Sequence, residues 1–268
     1  MEKLKLGNLY DIMNKFTSEQ DSIDFLEKIR WNGNVISPYN GDSVVWKCSN
    51  NQYKCKNTNK FFNVKTGTLF ENSKIKLRKW FLAIWYLISH KKGISSVQLS
   101  KEIGVTQKTA WSMDQKIRNC MDRKVGILKG IVEIDETFIG GWKKNGQGGK
   151  DKPIVMGMIQ RKGKIVAKVI PNRTINTLHK IIEKNVMYGS TVMTDELPAY
   201  KSLKRNYVHK YVNHSKREYV RGNVHTNTID GCWSHLKKML GGTYHWVSKK
   251  HLSKYVNEFI FRQIWDNG

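Results

Sequence analysis

Acidic residues are scarce in this chain. Twenty-two Asp and Glu face 47 Lys and Arg in 268 residues, a formal net charge of +25. That surplus exceeds what solubility asks of a protein this size, and the basic residues are spread throughout. Such a field favours polyanions, of which nucleic acid is the commonest. No single basic amphipathic helix is present to lie on an anionic membrane. Long apolar runs are missing too: the longest, Trp80 to Ile88, is far short of the roughly 20 residues a membrane span needs. The four cysteines, Cys48, Cys55, Cys120 and Cys232, show no disulfide-framework spacing. With no leader sequence, they point to a reducing compartment. There is no internal repeat and no low-complexity segment, and the length allows one large domain or two to three small ones.

What is present is organised around His225 to Lys237. Ile229, Trp233, Leu236 and Leu240 recur at the spacing of one helical face. Thr226 or Asn227 is placed to cap that helix, because a short polar side chain can accept from an orphaned first-turn N–H. Asp230 and Lys237, two turns apart, project from one side. Two further acids end short apolar strands: Asp135 in IVEIDETFI and Asp195 in STVMTDELP, the latter broken by Pro198. Three acids on two strands and a helix make a carboxylate set suited to Mg²⁺. That ion takes hard oxygen ligands and binds through one or two carboxylates plus the substrate's phosphates. A pair of such ions about 3.5–4 Å apart can activate a water or a 3′-hydroxyl and stabilise the leaving oxygen.

The stretches IVEIDETFIGG, VMTDELPAY and HTNTIDGCWSHLKKMLGGTYHWVSKKHLSKYVNEFIFR, with GTLFENSKIKLRKWFLAIWYL and KTAWSMDQKIR upstream, resemble the bacterial insertion-sequence DDE transposases. The branch is the one related to the eukaryotic Merlin elements, and the resemblance covers nearly the whole chain. It implies an RNase H-like catalytic core that cleaves transposon ends and joins their 3′ ends to target DNA by two-metal-ion phosphoryl transfer. The cofactor implied is Mg²⁺, with Mn²⁺ able to substitute. The partners are double-stranded DNA (terminal inverted repeats and target) and at least a second copy of the chain on DNA. The setting is the nucleoid of a bacterial cytoplasm, with no membrane partner. Carried over residue by residue, Asp135, Asp195 and Asp230 are the catalytic, metal-holding acids and Lys237 is the trailing basic residue. The family usually has Glu or Asn at the third position. Asp230 is one methylene shorter than Glu, and Asn227, one turn earlier, is the alternative ligand.

The family often carries a four-cysteine zinc ribbon ahead of the core. Here its positions are Ser37, Asn40, Cys55 and Thr58. One thiolate cannot close a zinc site, which normally has four thiolate or imidazole ligands. The expectation is a β segment without zinc, packed on Trp31, Val45, Trp46, Tyr53 and Phe61; a rearranged site on Cys48 and Cys55 is the alternative.

Elsewhere, two short helices are expected before residue 30, with Ser18 and Asp21 capping the second. Residues 75–122 read as helices. Ser95–Ile103, a turn at Gly104 and a helix from Gln107 follow a helix-turn-helix pattern, in which the second helix enters the major groove by its N-terminal residues. Gln107, Lys108 and Ser112 are then base-edge candidates, and Lys116 and Arg118 phosphate candidates. The alternative is a plain packing hairpin, and Trp111 is expected inside. Further DNA contacts are assigned to Lys143 and Lys144 in the glycine-rich loop after Asp135, to Lys216, Arg217 and Arg221, and to Lys238. His214 and His225 flank the basic stretch at 216–221, either as proton-transfer or phosphate-binding groups or as part of a solvated segment. Strand alternation points Glu136 away from Asp135, towards a nearby Lys.

The expected fold is an α/β catalytic core with an RNase H-like mixed sheet at 129–268. N-terminal helices (1–30), a degenerate zinc-ribbon-like β segment (31–70) and a helix-turn-helix (74–125) precede it. Two rival functions remain: a domesticated or catalytically impaired transposase acting as a sequence-specific DNA-binding protein, and a nuclease of the same fold without strand transfer.

Overall fold

A computed structural model describes residues 7–122, 125–140 and 152–266, with side chains to residue 263. The chain divides into two compact units, residues 1–117 and 118–268.

In the first unit, α1 (Leu9–Lys15) and α2 (Glu19–Trp31) each begin with a capping box. Asn8 with Asp11, and Ser18 with Asp21, exchange side-chain and backbone hydrogen bonds that satisfy first-turn donors. A three-stranded antiparallel sheet follows: β1 (Val45–Lys47), β2 (Tyr53–Cys55) and β3 (Phe61–Phe62). Its core differs from the expectation. Trp31, Tyr53 and Phe62 are buried and in mutual ring contact, while Trp46 and Phe61 are exposed. Pairing explains this: Tyr53 lies opposite Phe62, so the two-residue strand period turns Phe61 outward, opposite Lys54.

The hydroxyls of Ser37, Ser43 and Thr58 act on the Cys55 thiol, whereas the Asn40 side chain accepts from the Asp42 N–H. Burial pushes the thiol up, but hydrogen bonds from Ser37, Ser43 and Thr58 overcome it and bring its pKa down to about 6.

Helices α3 (Leu77–Ser89), α4 (Ser96–Ile103) and α5 (Gln107–Asn119) follow. Gly104, at φ 60°, closes α4 in the left-handed conformation that favours glycine. Thr106 Oγ1 accepts from the Thr109 N–H and caps α5. Two side chains of α5 lie opposite to expectation. Ala110, Met113 and Ile117 form its buried stripe, which leaves Trp111 38 % exposed beside exposed Lys108 and Ser112. Arg118 is 1 % exposed. It pairs with fully buried Glu258 at 2.7 Å and stacks on Tyr255, so it has no face to offer a phosphate.

The second unit is built on a five-stranded sheet: β4 (Ile131–Phe138), β5 (Ile154–Gln160), β6 (Ile165–Ile170), β7 (Thr191–Thr194) and β8 (Val208–Tyr211). The strand order is β6-β5-β4-β7-β8. The first three strands pair antiparallel, and β7 and β8 add parallel to β4. Helix α6 (Ile175–Asn185) connects β6 to β7, and a 3₁₀ helix (Pro198–Arg205) connects β7 to β8. This mixed sheet is the RNase H-like topology. A two-stranded ribbon, β9 (Val220–Arg221) and β10 (Val224–His225), leads into α7 (Asn227–Met239), a π-helical turn (Leu240–Tyr244) and α8 (Leu252–Asp266).

One face of the sheet buries Leu178 and Ile182 of α6 and Tyr200 and Leu203 of the 3₁₀ helix against Val132, Ile134, Met156 and Met158. The other buries Ile229, Trp233 and Leu236 of α7 and Val256 and Phe259 of α8 against Val155, Ile159 and Ile165. Among the described residues no helix is long and apolar enough to cross a membrane.

Candidate active site

The alternation of β4 sorts its side chains. Val132, Ile134 and Glu136 face α6, while Glu133, Asp135 and Thr137 face α7. The parallel register of β4 with β7 runs Ile131–Thr191, Val132–Val192 and Glu133–Met193. Asp135 lies two residues beyond the last residue of β4 in this register and Asp195 two residues beyond that of β7, so both follow the same end of this parallel pair. Asp195, just past the end of β7, accepts the Leu197 N–H on Oδ1 at 2.9 Å, a local turn that fixes its carboxylate.

Helix α7 lies over this face. Its apolar stripe is the expected one, with Ile229, Cys232, Trp233, Leu236 and Met239 buried. Trp233 crosses the sheet at Gly157, which pairs with Asp135. A methyl on Gly157 would meet the indole Cζ2 at 2.6 Å, so this glycine permits the close approach. The indole Nε1 donates to Asp135 Oδ2 at 2.8 Å.

Asp230 lies in the first turn of α7, where Thr226 Oγ1 donates to its Oδ2 at 3.2 Å. Burial raises the Asp230 pKa, and Lys237, exposed two turns on, is a lesser opposing charge. Neither Thr226 nor Asn227 caps the helix as expected. The Thr226 hydroxyl goes to Asp230, and Asn227 is an exposed first-turn residue. The cap comes from the sheet: Glu133 Oε2 accepts the N–H groups of Thr228 at 2.9 Å and Ile229 at 3.2 Å.

Burial raises the Asp135 pKa; the Trp233 indole and the Glu136 N–H pull it down, the charges of Asp230 and Asp195 push it back up, and the result is about 6. The Asp230 carboxyl is also raised by burial, against the opposing influence of the Thr226 hydroxyl and of His214. Among the described residues no three Asp, Glu, His or Cys side chains converge to hold one ion. The donor chemistry nonetheless fits a hard divalent cation: carboxylate oxygens are the ligands such an ion takes, its charge would favour ionisation of the buried Asp135 carboxyl, and Mg²⁺ needs only one or two acids beside substrate phosphate.

The neighbouring glutamates have other work. Glu136 points away from Asp135 as expected, but its partner is the Tyr200 hydroxyl rather than a Lys. Burial and then the charges of Asp135 and Asp195 raise its pKa to about 8, with Arg173 opposing. Glu196 accepts from Ser215 Oγ at 2.7 Å and from the His214 and Ser215 N–H groups. Led by the Ser215 hydroxyl, these bonds hold its pKa near 2. Glu196 thereby fixes the 3₁₀ turn 214–216, and His214 is close enough to influence Asp230.

The DNA candidates scatter. Gln107, Lys108, Ser112 and Lys116 are exposed on α5, and Lys216, Arg217, Arg221 and Lys238 are exposed in the second unit. Arg118 is withdrawn by its burial, and Lys143 and Lys144 lie outside the described residues. Residues that sequence reasoning did not single out are Glu133, Arg161, Gly157 and the Trp233 indole N–H. Two signals were readable: Glu133 shares strand parity with Asp135, and an interior strand glycine marks a close approach.

A family model described as the ISXO2-like transposase domain matches residues 127–263, just over half the chain. The chain belongs to this transposase family. It is also 32% identical over 273 residues to an uncharacterized protein in transposable element ISH50 of Halobacterium salinarum, covering 92% of each chain. Among solved structures, a simian T-cell lymphotropic virus intasome chain matches at 16% identity and TM-score 0.31, over 66% of this chain and 64% of its own. A pre-cleavage Mos1 transpososome matches at 11% identity and TM-score 0.30, over 69% and 74%. At such scores the assignment of this transposase rests on sequence and on its own strand order.

Proposed function

We propose that this transposase binds the ends of its element, cleaves them and joins the 3′ ends to target DNA, with Asp135, Asp195 and Asp230 holding the metal ions. What supports this reading is that Asp135 and Asp195 lie at the ends of sheet strands, Asp230 lies in the first turn of the helix packed on that sheet, and the charges of Asp230 and Asp195 add to burial in raising the Asp135 carboxyl. Divalent metal, when bound, would activate the attacking water or 3′-hydroxyl and stabilise the leaving oxygen. The protein's part is positioning. Trp233 orients Asp135, the Leu197 N–H orients Asp195, and Thr226 orients Asp230. Lys237 would supply positive charge on the Asp230 side of the helix, where the phosphate backbone would pass.

End recognition is assigned to the exposed face of α5, with Gln107, Lys108 and Ser112 at the bases and Lys116 on phosphate. The helix pair α4–α5 with its Gly104 turn supports a helix-turn-helix reading. Lys216, Arg217, Arg221 and Lys238 are assigned to backbone contacts near the acids. Two ends must be brought together, so the working form is at least a dimer on DNA.

A second reading, a transposase-derived DNA-binding protein without strand transfer, is favoured by one observation: among the described residues the acids do not converge on a single point. One assay separates the two. Inverted-repeat DNA is incubated with the full chain and Mg²⁺ or Mn²⁺. Metal-dependent nicking at the repeat boundary and strand-transfer products support the enzyme. Tight, sequence-specific binding with no cleavage in either metal supports the second reading.

A further inference from the structure

Glu133 is fully buried on the α7 face of β4, two residues before Asp135. Both of its oxygens accept hydrogen bonds, and the His225 Nδ1 lies 3.5 Å from Oε1. Oε1 accepts from Arg161 Nε at 2.6 Å and Thr228 Oγ1 at 2.9 Å, while Oε2 accepts from the Thr228 and Ile229 N–H groups. Those two N–H groups belong to the first turn of α7, where backbone donors have no intrahelical acceptor. Arg161 extends the grip. Its Nη1 donates to the Asn223 carbonyl at 2.9 Å and its Nη2 to the His225 carbonyl at 3.1 Å, holding the ribbon that feeds the helix. A carboxylate on the strand carrying Asp135 thus replaces the local cap of the helix carrying Asp230, and so frees Thr226 Oγ1 to hold the Asp230 carboxylate.

We propose that Glu133, braced by Arg161, is a positioning residue: it sets the distance between Asp135 and Asp230 by fastening the first turn of α7 to β4, and so sets the affinity of the site for divalent metal. The inference rests on the metal-site reading above. An ordinary cap would stabilise α7 wherever the helix lay. A cap delivered from β4 stabilises it only in one register against Asp135. The near-isosteric amide of Glu133→Gln loses the charge and turns an NH₂ towards donors, so it loosens that register while keeping volume.

The test is Mn²⁺ binding to the full chain, followed by the electron paramagnetic resonance of free Mn²⁺ without DNA or turnover. It is run on wild type and on Glu133→Gln, Asp230→Asn, the double variant and Asp135→Asn. Groups that orient metal ligands typically change affinity about 10–100-fold. Glu133→Gln is expected to weaken binding within that range. In the Asp230→Asn background it should cost nothing more, because its effect passes through Asp230. Thr228→Ala removes one donor from an exposed position, is expected to fold, and should weaken Mn²⁺ several-fold in the same direction; it decides the matter if Glu133→Gln does not fold. Wild-type affinity in Glu133→Gln, or in Thr228→Ala where that is the folded variant, overturns the proposal, as does full additivity with Asp230→Asn. If Asp135→Asn also binds Mn²⁺ like wild type, the metal-site reading itself has failed and this inference fails with it.

Discussion

The indole Nε1 of Trp233 reaches Asp135 Oδ2 at 2.8 Å by passing over the strand position opposite Asp135 that has no side chain. Sheet, helix and acid are fitted to one another at that crossing. Gly157→Ala is therefore expected to do more than fill space. Its methyl lies inside the contact distance of the ring, so Trp233 must swing out or α7 must lift. Overpacking of this kind costs about 1–3 kcal/mol. The predicted result is a folded protein with a lowered urea midpoint and cleavage reduced far more than DNA affinity. Wild-type cleavage in Gly157→Ala would show that the crossing does not matter to the chemistry.

Asp135 sets a trade between stability and activity. Its carboxyl is raised from the ordinary 3.8 to about 6 in the folded chain, by burial first. The unfolded chain therefore releases this proton at lower pH than the native one. By linkage, stability from this group is highest below pH 4, declines as pH rises from about 4 to about 6, and is flat above. The metal-free Asp135→Asn variant lacks that decline. At pH 7 it is predicted to be more stable than wild type by roughly 1–3 kcal/mol, taking about 1.4 kcal/mol per pK unit, yet inert in cleavage. Mg²⁺ should raise the melting temperature of wild type more than that of the variant. Calorimetry at pH 4, 5.5 and 7 checks it, and a variant less stable than wild type at pH 7 contradicts it.

Much of this was readable before the structure, for reasons visible in particular residues. Asp135 and Asp195 each follow a hydrophobic, β-branched run, which placed both at strand ends; that the two strands are neighbours is shown by the sheet pairing. The stripe Ile229, Trp233, Leu236 placed α7. What sequence left hidden depends on partners far away along the chain. Glu133 meets Thr228 95 residues later, and Arg118 meets Glu258 140 residues later. A charged residue on a helix reads as solvated until its buried counter-ion is known. Phe61 and Phe62 show a different limit: in a two-residue strand, pairing with β2 decides which ring goes in, and composition does not.

Arg118 and Lys116, the two phosphate candidates of α5, separate these cases experimentally. Lys116 is exposed, and Lys116→Ala is predicted to weaken end binding and to reduce the slope of log affinity against log salt by about 1, as expected when one fewer phosphate is neutralised. Arg118→Ala leaves Glu258 short of one of its two arginine partners in a buried cluster. Breaking such a pair costs about 3–5 kcal/mol, so the expected effect is on melting temperature, with an unchanged salt slope in the fraction that folds. Binding isotherms at several salt concentrations distinguish them.

The N-terminal sheet is predicted to hold no stoichiometric zinc. Cys55 meets the hydroxyls of Ser37, Ser43 and Thr58 rather than further thiols, and hydroxyl groups are not the thiolate or imidazole ligands zinc selects. Elemental analysis after dialysis checks this; one zinc per chain, released by Cys55→Ser, contradicts it.

The third acid is the sharpest question, since both Asp230 and Asn227 lie in the first turn of α7. Asp230 is the ligand we propose. Burial raises its carboxyl, and its charge in turn helps raise that of Asp135. A neutral amide at Asn227 offsets no metal charge. The capping role once available to Asn227 is taken by Glu133, so Asn227→Ser is predicted to change neither stability nor cleavage appreciably. Asp230→Ala should reduce cleavage to background while leaving end binding intact, because affinity comes mostly from Lys and Arg on phosphates. Asp230→Glu should retain activity or raise it: the added methylene lengthens the carboxylate's reach, and a bound Mg²⁺, which usually keeps several waters, would tolerate either length. Single-turnover cleavage of a pre-bound transposon end by the three variants decides between the ligands. Full activity in Asp230→Ala, or a folded but inert Asn227→Ser, would move the third ligand to Asn227.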